Sequence, residues 1–170
     1  MHSMKKIVLL TLVALLFTSC GYRPSSKFSR NVLGDRVSTS VIISKQDPEN
    51  TVIIKDAVDS AIVESLHASI TPRRESDTHL IFSISTPGYS PIQYDSNGYI
   101  IAYRMRITLN IVSIKYGKEK HYTANGTHDF SVTPNAVVTD QERFDAIKNS
   151  ASKAISAFIA QIASEGAKQN

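Results

Sequence analysis

Ile101-Ala-Tyr-Arg-Met-Arg-Ile-Thr-Leu-Asn-Ile111 is the stretch on which the fold turns. Its odd positions, Ile101, Tyr103, Met105, Ile107, Leu109 and Ile111, share one face, and Ala102, Arg104, Arg106, Thr108 and Asn110 share the other. A period of two with one apolar face is that of a strand lying on a core. Just before it, Asp95-Ser96-Asn97-Gly98 predicts a tight hairpin, because Asn-Gly supplies the positive φ of a type I′ turn. Upstream, Leu80, Phe82 and Ile84 mark a strand, continued past Pro87-Gly88 by Ile92 and Tyr94, with the proline implying a bulge or an edge position. Downstream, Tyr116-Gly117-Lys118 makes a turn and His121 to Val132 reads as a further strand. Asn125-Gly126 within that strand reads either as a bulge or as a second tight turn.

Farther out, Arg36 to Lys45 alternates, with Val37, Thr39, Val41 and Ile43 on one face, and predicts another strand. The turn Asp47-Pro48-Glu49-Asn50 follows, and then Ile54, Val58, Ala61, Ile62 and Leu66 fall at helical spacing. That helix starts at Asn50 or Lys55 and runs to Ala68; β-branched Thr51-Val52-Ile53-Ile54 leaves its start open. A long helix closes the chain from Asp140 to about Ser164, with Thr139 and Glu142 in the capping-box arrangement. Its inner face is Phe144, Ile147, Ala151, Ala154, Ile155, Phe158 and Ile162. The order β-α-β-β-β-α predicts an α+β fold, two helices packed on one face of a four-stranded, mostly antiparallel sheet. The second sheet face is then left exposed or covered by a partner.

The N-terminus sets the compartment. Lys5-Lys6, the apolar run from Ile7 to Phe17 and the small residues before Cys20 are the parts of a secretory signal. Leu16-Phe17-Thr18-Ser19-Cys20 resembles the lipobox of bacterial lipoproteins, which implies acylation of the Cys20 thiol after cleavage behind Ser19. The alternative is a signal anchor in which Cys20 is incidental. The run is shorter than the ~20 residues a spanning helix needs, and a lone cysteine has no disulfide partner. Gly21 follows, and the resemblance to bacterial lipoproteins, in which aspartate at this position is the usual inner-membrane retention signal, implies sorting to the outer membrane, lipid-anchored on the periplasmic side. The expected organisation is a signal peptide over 1–19, a lipidated start and tether over 20–34, one α+β domain over 35–165, and a tail over 166–170. The tether includes the polar Arg23 to Ser29 segment.

The whole chain has 19 basic and 15 acidic side chains; loss of Lys5 and Lys6 with the signal leaves a domain near neutrality, about +2. So small a charge argues against a nucleic-acid partner, which calls for a concentrated basic stripe.

Cys20-Gly21-Tyr22, the element order, Asn97-Gly98 running into Ala102-Tyr103-Arg104-Met105, and a capped helix after Thr133-Pro134 together resemble the lipopolysaccharide-assembly lipoprotein family LptE. The resemblance implies no catalysis and no cofactor. It implies a plug that sits inside the outer-membrane β-barrel LptD, helps that barrel assemble and binds lipopolysaccharide, with a lipid anchor to the membrane. It directs attention to the hairpin end, where Tyr94, Ser96, Asn97 and Tyr99 are candidate partner contacts and Tyr89 adds a further aromatic. In characterised members a basic residue directly precedes the Asn-Gly of the hairpin and another the acidic start of the last helix. Here those positions are Ser96 and Thr139, so no lipopolysaccharide contact carries over to them. Arg104 and Arg106 are the substitute candidates, since guanidinium groups on the outer face of one strand match phosphate geometry. The alternative is that they are solvated or paired with nearby acids.

No H-E-x-x-H, G-x-S-x-G or phosphate-binding glycine loop occurs, and His67, His79, His121 and His128 form no metal-ligand spacing. Asp56 and Asp59, three apart on the expected helix, read as surface charge. An enzyme is therefore not expected. The rival reading is another periplasmic lipoprotein adaptor, such as a peptidoglycan-synthase activator or a barrel-insertion accessory, which would share the signal, the size and the lack of catalytic residues.

Overall fold

The computed structural model describes residues 25–42, 69–85, 87–134 and 136–168, with Val52, Lys55, Asp56, Asp59 and Val63 between them. Helix α1 (Ser25–Leu33) leads into strands β1 (Arg36–Val41) and β2 (Ser69–Ile70) and a short 3-10 turn (Arg73–Glu75). Strands β3 (Thr78–Ile84), β4 (Gly88–Tyr94), β5 (Ile100–Lys115) and β6 (Lys118–Ser131) follow, and helix α2 (Asp140–Lys168) ends the chain.

Among the described residues the fold is α+β, with helices α1 and α2 and a sheet, but the sheet has six strands and is mixed. β1 pairs in parallel with both β2 and β3, whereas β3, β4 and β6 all run antiparallel to β5. Three physical reasons separate this from the expected four, mostly antiparallel strands. Ser69–Ile70 is too short to show a period. The crossover between β1 and β3 brings the chain back to the end it left, which forces parallel pairing. Pro87-Gly88 ends one strand and starts another, so β3 borders Leu109 to Lys115 and β4 borders Ile100 to Arg106 along the same edge of β5. Pro91 lies on β4, at the sheet edge, where its missing N–H is tolerated.

The expected helix over 50–68 lies mostly outside the described residues; Val52, Lys55, Asp56, Asp59 and Val63 are helical where described. The segment expected as a tether is helical from Ser25, with Ser29 and Leu33 fully buried. Gly34, at φ +87°, turns the chain out of α1 and donates its N–H to the Arg30 carbonyl, 2.8 Å away, as a helix-ending glycine does.

The first hairpin corrects the expected turn type, whereas the turn at Tyr116-Gly117-Lys118 is in place. At Asp95-Ser96-Asn97-Gly98 only Gly98 takes positive φ (+84°). Its N–H reaches the Asp95 carbonyl at 3.1 Å, and the Asp95 carboxylate accepts from the N–H groups of Asn97 and Tyr99 at 2.9 and 2.8 Å. This is a type I turn with a glycine bulge, selected because the Asp95 side chain holds the backbone in it. The type I′ geometry occurs instead at Tyr116 (φ 50°) and Gly117 (φ 75°).

The core lies between one sheet face and the helices. Met105, Ile107, Leu109 and Ile111 of β5, with Leu80 and Phe82 of β3, meet Ile147, Ala151, Ala154, Ile155, Phe158 and Ile162 of α2. Phe144, expected among them, is only half-buried. Phe158 stands edge-on to Phe82 (5.9 Å, 85°) and to Tyr122 (5.5 Å, 71°). The Thr139–Glu142 capping box is in place. The Glu142 carboxylate accepts from the Thr139 N–H at 2.8 Å and its own N–H donates to Thr139 Oγ1 at 3.2 Å, which holds the Glu142 carboxyl below its ordinary range.

Asn125-Gly126 is neither bulge nor turn. Asn125 pairs with Thr108 and Gly126 with Ile107 in unbroken register. The glycine is there because α2 crosses β6 with its backbone: a Cβ on Gly126 would stand 1.9 Å from the Ser150 carbonyl oxygen and 2.5 Å from the Ala154 nitrogen.

Candidate functional site

The two-residue turn at Tyr116-Gly117 fixes the register of β5 against β6, and register decides which side chains meet on the outer sheet face. Lys115 opposes Lys118, and counting back places Thr108 against Asn125, Arg106 against Thr127 and Arg104 against Asp129. From Arg104 to Asn110 and their partners on β6 the face is polar, with Thr108 Oγ1 and Asn125 Oδ1 2.6 Å apart. Neither helix covers it.

Arg104 and Arg106 both point outward, as the strand period requires, yet they differ. Arg104 forms a two-point pair with Asp129, Nε to Oδ1 and the terminal nitrogen to Oδ2, each 2.7 Å. The hydrogen bond raises the Arg104 pKa and lowers that of Asp129. Arg106 is exposed and in no ion pair among the described residues. Both border a shallow depression of about 260 Å³ at the β3–β4 break, lined also by Ser85, Gly88, Tyr89, Ser90 and Thr108. Asp129 is the partner that residue-by-residue reading missed. The signal for it was the Tyr116-Gly117 turn, from which the cross-strand count follows.

At the end of β5 carrying the Asp95–Gly98 turn, aromatic side chains crowd a thin part of the structure. β4 is exposed along its whole length. Tyr89 (45%), Ile92 (41%), Tyr94 (57%) and Tyr99 (47%) remain open to solvent beside exposed Ser96 and Asn97. Tyr103 and Phe130 stack across the β5–β6 pair at 5.8 Å, and Tyr89 stands edge-on to both. An exposed aromatic cluster on a rigid hairpin suits an interface better than a catalytic centre.

Among the described residues no His, Cys, Asp and Glu side chains gather as a metal site, and no helix is long and apolar enough to cross a membrane. His79 is buried on β3 between hydroxyls: Ser38 Oγ lies 2.7 Å from Nδ1 and Ser40 Oγ 3.3 Å from Nε2. Ser76 Oγ donates to the Arg73 carbonyl, so it accepts from Ser38, which leaves Nδ1–H of His79 as the donor to Ser38. Burial first, and nearby Arg73 second, hold the His79 pKa below its ordinary value.

The architecture is thus a capped helix on a mixed sheet, with an outer sheet face that neither helix covers and an aromatic end. A putative lipoprotein from Caulobacter crescentus has the same fold, with TM-score 0.57 and 10% identity, over 87% of this chain and 98% of that one. The rare lipoprotein B from Shewanella oneidensis aligns with TM-score 0.51 and 14% identity, over 79% of this chain and 98% of that one. No curated protein matches the sequence. The model of the LptE family, described as lipopolysaccharide-assembly, matches residues 38–162, and the chain belongs to that family.

Proposed function

We propose that this chain is a non-catalytic outer-membrane lipoprotein, anchored through Cys20, that plugs and helps assemble the LptD barrel for lipopolysaccharide transport. Family membership supports the lipopolysaccharide-assembly role. The observation that carries the barrel contact is the exposed aromatic end built from Tyr89, Tyr94 and Tyr99 around Ser96 and Asn97. Tyrosines on a hairpin held by the Asp95 carboxylate offer a rigid, amphipathic surface at small entropic cost. The polar outer face tolerates enclosure in a wet barrel lumen, because its side chains already satisfy one another across the strands.

Lipopolysaccharide, if it meets this face, does so through Arg106. Arg104 is already neutralised by Asp129, whereas Arg106 keeps its charge beside the β3–β4 depression.

A photoreactive residue at Ser96 tests the partner. Capture of one large outer-membrane barrel, retained in mild detergent, supports the proposal, and capture of an inner-membrane synthase replaces it with the adaptor reading. Intact mass tests the anchor: wild type and Cys20→Ala with the same mature mass would remove it.

A further inference from the structure

The opposite end of β5 carries a second surface. Its apex is Tyr116, 85% exposed at φ 50°, in a turn that Asn, Asp or Gly would occupy without strain. Among the described residues its ring contact is with the Lys115 ammonium, 5.8 Å from the ring centroid. A bulky amphipathic ring held in left-handed backbone at an exposed tip has little to do for the fold itself.

Around it, a depression of about 210 Å³ is lined by Asn31, Val32, Lys115, Tyr116, Lys118 and Lys120 among others. Lys115 donates to the Val32 carbonyl at 2.7 Å, a neutral acceptor. Lys118 has no ion pair among the described residues, while Lys120 is neutralised by Glu165. Exposed Arg73 and Arg74 lie at the same end, because Thr78 opposes Lys115. Asp35 and Asp77 lie at this end too, paired with Arg30 and Arg36, and Glu75 and Glu119 offset the remaining positive charge in part.

The chain tethers this end. Lys115 binds the end of α1, and Cys20 lies five residues before Ser25. Five extended steps span at most about 17 Å. The eight helical residues to Val32 add about 11 Å, so the Val32 side of this depression stays within roughly 30 Å of an acylated Cys20, with the apex one lysine side chain beyond it.

We propose that the β5–β6 apex docks on the anionic phospholipid headgroups of the membrane that holds the anchor, with Tyr116 at the interface and Lys115 and Lys118 on phosphates. Interfacial tyrosine and snorkelling lysine are the chemistry such a surface selects. The inference rests on lipidation of Cys20 and is independent of the barrel contact, which lies at the other end of β5.

The chain contains no tryptophan, so Tyr116→Trp is a single reporter and Tyr99→Trp its control. The full lipidated protein is reconstituted in vesicles of phosphatidylcholine and phosphatidylglycerol with brominated acyl chains, its lipid first verified by intact mass. Quenching of the Tyr116→Trp reporter at least about threefold greater than that of the control is expected, falling to the control level with Lys118→Glu or in about 0.5 M salt. Lipidated protein quenched equally at both positions, or insensitive to Lys118→Glu, overturns the docking alone. Absence of the lipid mass overturns the anchor and the docking together.

Discussion

Gly126→Ala adds one methyl group where α2 crosses the sheet. The new Cβ would stand 1.9 Å from the Ser150 carbonyl oxygen and 2.5 Å from the Ala154 nitrogen, where about 3 Å is the closest approach real structures allow. Both opposing atoms are backbone, so no side chain can rotate away, and helix and strand must separate by about 1 Å. Ile147, Ala151, Ile155 and Phe158, all fully buried on the same helix, would lose contact together, and a gap of that size forfeits a quarter to a half of each dispersion well. Overpacking costs ~1–3 kcal/mol in general. This site belongs at the upper end, about 3 kcal/mol, which lowers the melting temperature of a domain this size by roughly 6–12 °C. Urea unfolding followed by far-UV circular dichroism reads the loss. Gly88→Ala is the control, since nothing lies within 4 Å of its added Cβ, and it should shift stability by no more than about 1 kcal/mol in either direction. An unfolding midpoint for Gly126→Ala equal to that of Gly88→Ala would refute the crossing geometry.

Phe158→Ala, emptying a site bounded by Phe82 and Tyr122, should cost ~3–5 kcal/mol; an unchanged melting temperature would mean this face of α2 is not the core face. His79 gives a pH dependence. Its folded pKa lies below the unfolded value near ~6.5, so between the two the unfolded chain binds more protons and stability falls as pH drops from ~6.5. His79→Gln should flatten the urea midpoint between about pH 7.5 and 5.5, and a slope equal to wild type would exonerate this histidine. Tyr116→Asn should stabilise by about 1 kcal/mol, because asparagine accepts the positive φ; a lower melting temperature would show that the Tyr116 ring contributes more than its turn costs. Arg106→Glu should weaken lipopolysaccharide binding by the purified chain on the order of tenfold at low salt, and Arg104→Ala by far less, since Arg104 already pairs with Asp129. Equal effects would place any glycolipid contact elsewhere.

What the sequence determined by itself is what depends on neighbours along the chain. The alternation of Ile101 to Ile111 set the buried and wet faces of β5. Thr139 and Glu142 set the start of α2, and its apolar spacing set the side it buries. Asn97-Gly98 announced a hairpin, although the Asp95 carboxylate chose its type. Only the tertiary structure decided what depends on strands meeting. The parallel placement of β1 beside β3, the division of one edge of β5 between β3 and β4, and the entry of α1 into the core come from chain return and packing, which no local period encodes. The same holds for the outer face. Arg104 and Arg106 look equivalent two residues apart, and the register set at Tyr116-Gly117 gives one of them Asp129 and the other Thr127. Gly126 shows the limit most plainly. Along the chain it reads as a bulge or a turn, whereas in space it is the gap through which a helix backbone passes.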